Sequence, residues 1–133
     1  MEKHKKDYIA YRLEKSKESY KDARLLAKNE RWNAAINRLY YSCYYSVSAL
    51  LLKNNISTHT HSGIKIQFGI HFVKTGILSR DDGKLFADLM DWRQKGDYGD
   101  FLEIEEKHVI PLIPKVEQFI NKIQFLLTNN TSS

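Results

Sequence analysis

Apolar residues recur at steps of three and four through almost the whole of this 133-residue chain. That rhythm is the period of an amphipathic helix, and no alternating run long enough for a strand interrupts it. Ile9, Leu13, Ser16, Tyr20, Ala23 and Ala27 place a first helix over residues 7–29. Trp32, Ile36, Leu39, Cys43, Val47 and Leu50 mark a second, from about Trp32 to Lys53. A third, shorter one runs from about Ser62 to Val73, with Ile64, Phe68 and Phe72 on one side, and Thr75-Gly76 is its stop. Ser79 with Asp82 has the spacing of a capped start, so a fourth helix opens there, continues through Leu85, Phe86, Leu89, Met90 and Arg93, and is closed by Gly96. Pro111 and Pro114 disturb the last helical stretch; the reading that keeps both tolerable is a short segment from about 103, then a main helix over about 110–127. The chain is therefore expected to be all-α: four long helices plus one short one in a single domain over 1–133, ordered from about 7 to 127, with a fraying polar tail. Trp32, Ile36, Leu39, Leu89, Phe119 and Ile123 are the expected core.

Composition narrows the class. Hydrophobic residues are 42% and charged ones 28%, the balance of an ordinary globular protein. No apolar stretch approaches the roughly 20 residues that span a bilayer, and the charged start Met1–Lys6 is not followed by the apolar segment of a secretion signal. The single Cys43 excludes an intrachain disulfide and fits a reducing cytoplasm. The histidines show no metal-ligand spacing with one another or with Cys43, there is no Gly-rich phosphate loop, and no metal or cofactor is expected. Net charge is +5, and residues 1–31 carry ten Lys and Arg against six Asp and Glu, or +4. Such asymmetry suits an anionic partner such as RNA, although the signs alternate as they do on a solvated helix face.

Function is most legible in Asn37–Tyr45, where Tyr40, Tyr41, Tyr44 and Tyr45 follow Arg38 inside an otherwise apolar helix. A helix built only for packing uses Leu, Ile and Ala. A buried tyrosine brings a hydroxyl that needs a partner, so this helix carries a polar seam, with Arg38, Tyr41 and Tyr45 on one face. Core and dimer-interface packing is the alternative use of these rings, and a two-fold homodimer follows from so large an aromatic surface.

Four motifs then carry a resemblance. Asn37-Arg38-x-Tyr40-Tyr41, Thr60-His61-Ser62-Gly63, Phe72-Val73-Lys74-Thr75-Gly76-x-Leu78 and Arg93-Gln94-x-x-Asp97-Tyr98-Gly99-Asp100-Phe101 fall in the order and spacing of a group of small prokaryotic HEPN-domain proteins, and the likeness covers about residues 8–127. The resemblance implies a compact antiparallel helical bundle, often dimeric, paired with a nucleotidyltransferase in toxin–antitoxin or defence operons. Many relatives of this kind are metal-independent ribonucleases through an Arg-x(4–6)-His motif.

This sequence departs from that motif, because none of its arginines has a histidine within the next seven residues. RNA cleavage by that route needs a group that exchanges protons near neutral pH; histidine does so, and tyrosine, titrating near 10, does not. Phosphate binding survives the loss. Arg38, Tyr41, Arg93, Asp97 and Tyr98 are expected to converge on one nucleotide- or RNA-binding patch, with the arginine forks on phosphate and the rings stacking or lining it. Ion pairing of Arg38 and Arg93 with Asp91, Asp97 or Asp100 is the structural alternative. His61 sits at a helix start, where backbone N–H groups attract anions, and with Arg38 and Arg93 it completes the candidate catalytic set of a divergent ribonuclease; capping or packing at that helix start is its structural alternative.

Overall fold

The computed structural model describes residues 2–98 and 103–128, with Glu2 and Tyr98 described by their backbone alone. The Gly99-Asp100-Phe101 end of the fourth motif, the Tyr98 side chain and the expected fraying of the tail lie outside the described residues.

Two long helices open the chain, α1 (Glu2–Lys28) and α2 (Trp32–Lys53). The first begins five residues earlier than the expected start at residue 7, because Lys3–Lys6 contain good helix formers and nothing in them stops a helix. A short turn reverses the chain, closed by Arg31 N donating to Leu26 O at 2.9 Å, with Glu30 in the left-handed region at φ 57°. Small residues fill much of the buried surface of both helices: Ser16, Ser19, Ala23 and Ala27 on α1, Ala35, Ser42, Ser46 and Ala49 on α2. Close approach lets Ser16 Oγ donate to Ser42 O at 2.6 Å and Ser42 Oγ donate to Ser16 O at 2.9 Å. Both hydroxyls are wholly buried and both are satisfied, which pins the register of the antiparallel pair.

The next helix, α3 (His61–Phe68), is capped by Thr60, whose Oγ1 accepts from Gly63 N at 2.9 Å. Gly63 has to be glycine, since a Cβ there would lie 2.3 Å from Thr58 Oγ1 and 2.8 Å from Thr60 Oγ1. The helix widens into a π-turn over Gly69–Val73 and stops at Gly76, whose φ of +83° is the left-handed stop expected from sequence. Helix α4 (Arg80–Tyr98) begins with the expected box: Ser79 Oγ accepts from Asp82 N at 3.1 Å, and Asp82 Oδ2 accepts from Ser79 N at 3.0 Å. Gly96 does not close this helix, which runs on to Tyr98. A Cβ at Gly96 would stand 3.2 Å from Ile104 Cδ1, a tight contact that the tip of that side chain would have to relieve. Arg93 accordingly lies inside α4 rather than at its end. A four-residue α5 (Glu106–Val109) and α6 (Leu112–Thr128) complete the fold, with Pro111 between them and Pro114 in the first turn of α6. Four long helices are present as expected, and no strand occurs among the described residues.

Helix α2 is the centre of the bundle, packed against α1, α4 and α6. Ile36, Leu39, Leu89, Phe119 and Ile123 are buried, as expected. Trp32 is only half-buried. It is the first residue of α2 and packs against the core with part of its large ring left in water. Phe68, Phe86 and Phe119 make an aromatic triangle with centroids 5.5–6.2 Å apart, which ties α3, α4 and α6 together beside α2. No helix among the described residues is long and apolar enough to cross a membrane.

Candidate functional site

Helix α2 presents its tyrosines beside the start of α3 and the second half of α4. Tyr40 points inward and is wholly buried, its ring parallel to Phe86 at 5.9 Å. Tyr41, Tyr44 and Tyr45 follow the helical turn out of the core and are half-buried. They form a continuous set of aromatic contacts, with Tyr41–Tyr44 and Tyr44–Tyr45 each edge-on at 5.7 Å. His61, the first residue of α3, is laid against this set. Its ring stacks on Tyr44 at 4.7 Å, meets Tyr41 edge-on at 6.1 Å, and places Nδ1 2.6 Å from the Tyr40 hydroxyl.

Both arginines reach the same rings. The Arg38 guanidinium stands 5.0 Å from the Tyr41 centroid, and its orientation is fixed by its neighbour: Nε and Nη2 donate to Asn37 Oδ1 at 3.0 and 2.7 Å. The Arg93 guanidinium stands 5.0 Å from the Tyr40 centroid and 5.8 Å from that of Tyr41. Its side chain is 12% exposed, and Nη1 makes a long contact of 3.5 Å to Asp97 Oδ2. Arg93 Nε is buried and has no hydrogen-bond partner among the described residues. Asp97 also shares a cleft of about 270 Å³ with Arg38, Asn37 and Leu26. Helix geometry explains the ion pair, since Arg93 and Asp97 are one turn apart on α4.

The electrostatics follow from burial. Desolvation raises the Tyr40 hydroxyl well above the ordinary phenol range, against the pull of the Arg93 charge. Burial also lowers His61, and Arg93 lowers it further. Tyr44 is raised, again chiefly by burial. The site is thus an uncharged aromatic floor under two permanent cations, with one half-exposed carboxylate in ion-pair contact. A guanidinium over a ring gains from the quadrupole, and Arg38 Nη1 and Arg93 Nη2, which have no hydrogen-bond partner among the described residues, are the donors left for an anion.

Arg38, Tyr41, Arg93 and His61 therefore meet around one ring, and Asp97 lies at the edge of the group. Tyr98 ends α4, and its side chain is outside the described residues. Sequence reasoning missed Tyr40 and Asn37 as members of the site. Tyr40 falls between core positions and reads as packing; the signals for it were its place in the Asn37-Arg38-x-Tyr40-Tyr41 motif and its hydroxyl, which burial obliges to find a partner. Asn37 could have been found by its place directly before Arg38. A larger cleft, about 800 Å³, lies away from these residues, between Gly76–Ser79 and the Lys122–Leu126 part of α6. It holds the ion pair of the buried Asp82 with the half-exposed Lys122, at 3.1 Å, and no member of the arginine–tyrosine group.

Known proteins resemble the chain over nearly its whole length. A family model described as "HEPN domain" matches residues 9–126. A "UPF0332 protein" of Thermotoga maritima is 42% identical over 92% of this chain and 93% of its own. Two proteins of Methanocaldococcus jannaschii are more distant. One named "Putative toxin MJ0142" is 32% identical over 89% of this chain and 81% of its own, and one named "Putative toxin MJ0605" is 30% identical over 84% and 83%. The all-helical bundle and these matches agree with the motif resemblance, and the chain belongs to the HEPN-domain family.

Proposed function

We propose that this HEPN-domain chain is a nucleotide- or RNA-binding partner module of a toxin–antitoxin or defence-type system, working beside a nucleotidyltransferase as a two-fold dimer. One observation carries the reading: two guanidiniums and an imidazole gather within about 6 Å of the Tyr41 ring, beside only one half-exposed carboxylate among the described residues. In this reading Arg38 and Arg93 hold phosphate, Asp97 steadies Arg93, and Tyr41 with Tyr98 lines or stacks on the base. The toxin names of the two M. jannaschii relatives favour the toxin–antitoxin setting and an antitoxin partner. The half-buried Tyr41, Tyr44 and Tyr45 favour burial against a second copy.

A second reading has its own observation. His61 is absent from the family's Arg-x(4–6)-His spacing but lies beside Arg93 in space, which supports reading Arg38, His61 and Arg93 as the catalytic set of a divergent, metal-independent endoribonuclease toxin. One experiment separates the two. The purified protein is titrated with AMP and with single-stranded RNA at two salt concentrations, and the same RNAs are assayed for cleavage by wild type, Arg38→Ala, His61→Ala and Arg93→Ala. Salt-sensitive binding that needs both arginines, without cleavage, is expected. Cleavage abolished in His61→Ala installs the ribonuclease. Absence of both activities removes the nucleotide and leaves an interaction module. Light scattering on the same sample is expected to report a dimer at tens of micromolar, roughly the range in which a stable interface is filled.

A further inference from the structure

Tyr40 and His61 are 21 positions apart, yet the Tyr40 hydroxyl and His61 Nδ1 are 2.6 Å apart. One proton lies between them, and it belongs either to the oxygen or to the nitrogen. Tyr40 is wholly buried against Phe86, and burial keeps its phenol protonated at neutral pH. The hydroxyl has no other hydrogen-bond partner among the described residues. A hydrogen on Nδ1 would therefore strand a buried hydroxyl hydrogen without an acceptor, which native interiors avoid. His61 itself is disfavoured as a cation by its burial and by Arg93. A neutral imidazole that accepts at Nδ1 carries its hydrogen on Nε2.

That nitrogen has no partner among the described residues, and the ring bearing it is half-buried among Tyr41 and Tyr44, beside Arg93. The geometry points to Tyr40 as a positioning residue that fixes His61 as a neutral Nε2–H donor, so that His61, Arg38 and Arg93 together present donors to the oxygens of one phosphate group. This rests on the reading that the arginines hold phosphate, and it adds what the histidine does there. It also assigns the histidine a role other than base: a nitrogen that already bears hydrogen does not take a proton from a ribose hydroxyl.

The tautomer is read directly in the free protein by long-range ¹H–¹⁵N correlation of the histidine rings at neutral pH, with His61→Gln identifying the signal. The expected spectrum has Nδ1 bare and Nε2 protonated, and Tyr40→Phe, checked for folding by its amide dispersion, mixes the two tautomers. A proton on Nδ1 in wild type, or an unchanged tautomer in Tyr40→Phe, overturns the positioning role whatever the protein binds. The ligand is then tested with AMP, which offers a phosphomonoester, and with a short single-stranded RNA lacking terminal phosphates, which offers only diesters. Binding of either is expected to shift the His61 Nε2 resonance. His61→Ala is expected to weaken binding about tenfold, the loss of one hydrogen bond to a charged group. His61→Gln, which keeps a donor near Nε2, recovers part of it. Tyr40→Phe weakens binding as well, because only the competent tautomer binds. Binding that depends on Arg38 and Arg93 but leaves the Nε2 resonance unmoved overturns the donor role and spares the proposed function. Binding of neither probe overturns the ligand assignment and the nucleotide reading together.

Discussion

Replacing Arg93 by methionine separates the site from the scaffold. The guanidinium is nearly buried, with 12% of its side chain exposed, and it holds Tyr40 and Tyr41 at 5.0 and 5.8 Å. Losing these contacts costs about 0.5–2 kcal/mol, the range for cation–π pairs from exposed to desolvated. The Asp97 contact, long at 3.5 Å and to a half-exposed carboxylate, adds at most about 1 kcal/mol. Against this, the buried Nε has no partner among the described residues, and removing an unsatisfied polar group returns about 1–3 kcal/mol. Methionine fills most of the vacated volume and gains sulfur–aromatic contacts of about 0.3–1.5 kcal/mol with the same rings. The opposing terms nearly cancel, so Arg93→Met is expected to unfold within about 1 kcal/mol of wild type in a urea titration followed by circular dichroism. Its affinity for AMP or RNA is expected to fall tenfold or more, about the value of one charge-assisted hydrogen bond. A loss above about 3 kcal/mol, the cost of breaking a needed buried ion pair, would refute the reasoning and make Arg93 part of the scaffold. Unchanged affinity would remove it from the site.

Leu39 is fully buried in the centre of α2, and Leu39→Ala is expected to cost about 2–5 kcal/mol of unfolding free energy; a cost below about 0.5 kcal/mol would put that face of α2 outside the core. Burial pushes the Asp82 carboxyl up, but the Ser79 hydrogen bonds and the Lys122 ammonium together hold it below the usual range. Its stabilisation is therefore present above the ordinary aspartate value and lost as pH falls through the lowered one, so Asp82→Asn should be less stable at neutral pH and lose less on acidification below about pH 4; parallel acid unfolding curves would contradict this. His61 is also lowered, by burial first and then by Arg93, and for a base that means the unfolded chain takes up the proton first. Stability should fall as pH drops through about 6.5, and His61→Gln should flatten that part of the thermal-unfolding profile; an unchanged slope would show that His61 protonates as easily folded as unfolded.

The sequence by itself determined the elements. Helical periodicity placed α2 to the residue and the other long helices to within a few, since each helix is written by contacts three and four positions apart. Local chemistry placed the Ser79–Asp82 cap, the stop at Gly76 and the tolerance of Pro114, because each is settled within a single turn of chain. Four residues of the arginine–tyrosine group were legible by type: Arg38, Tyr41, His61 and Arg93 are costly to bury without a purpose. The tertiary structure alone decided three things. Gly96 lies inside α4 with Ile104 close against it, Trp32 is left half in water at the start of α2, and Tyr40 meets His61 across 21 positions. The physical reason is range. A helix is selected by neighbours within one turn, whereas a buried hydroxyl finds its acceptor only after the packing of α2 against the start of α3 has fixed where both side chains lie.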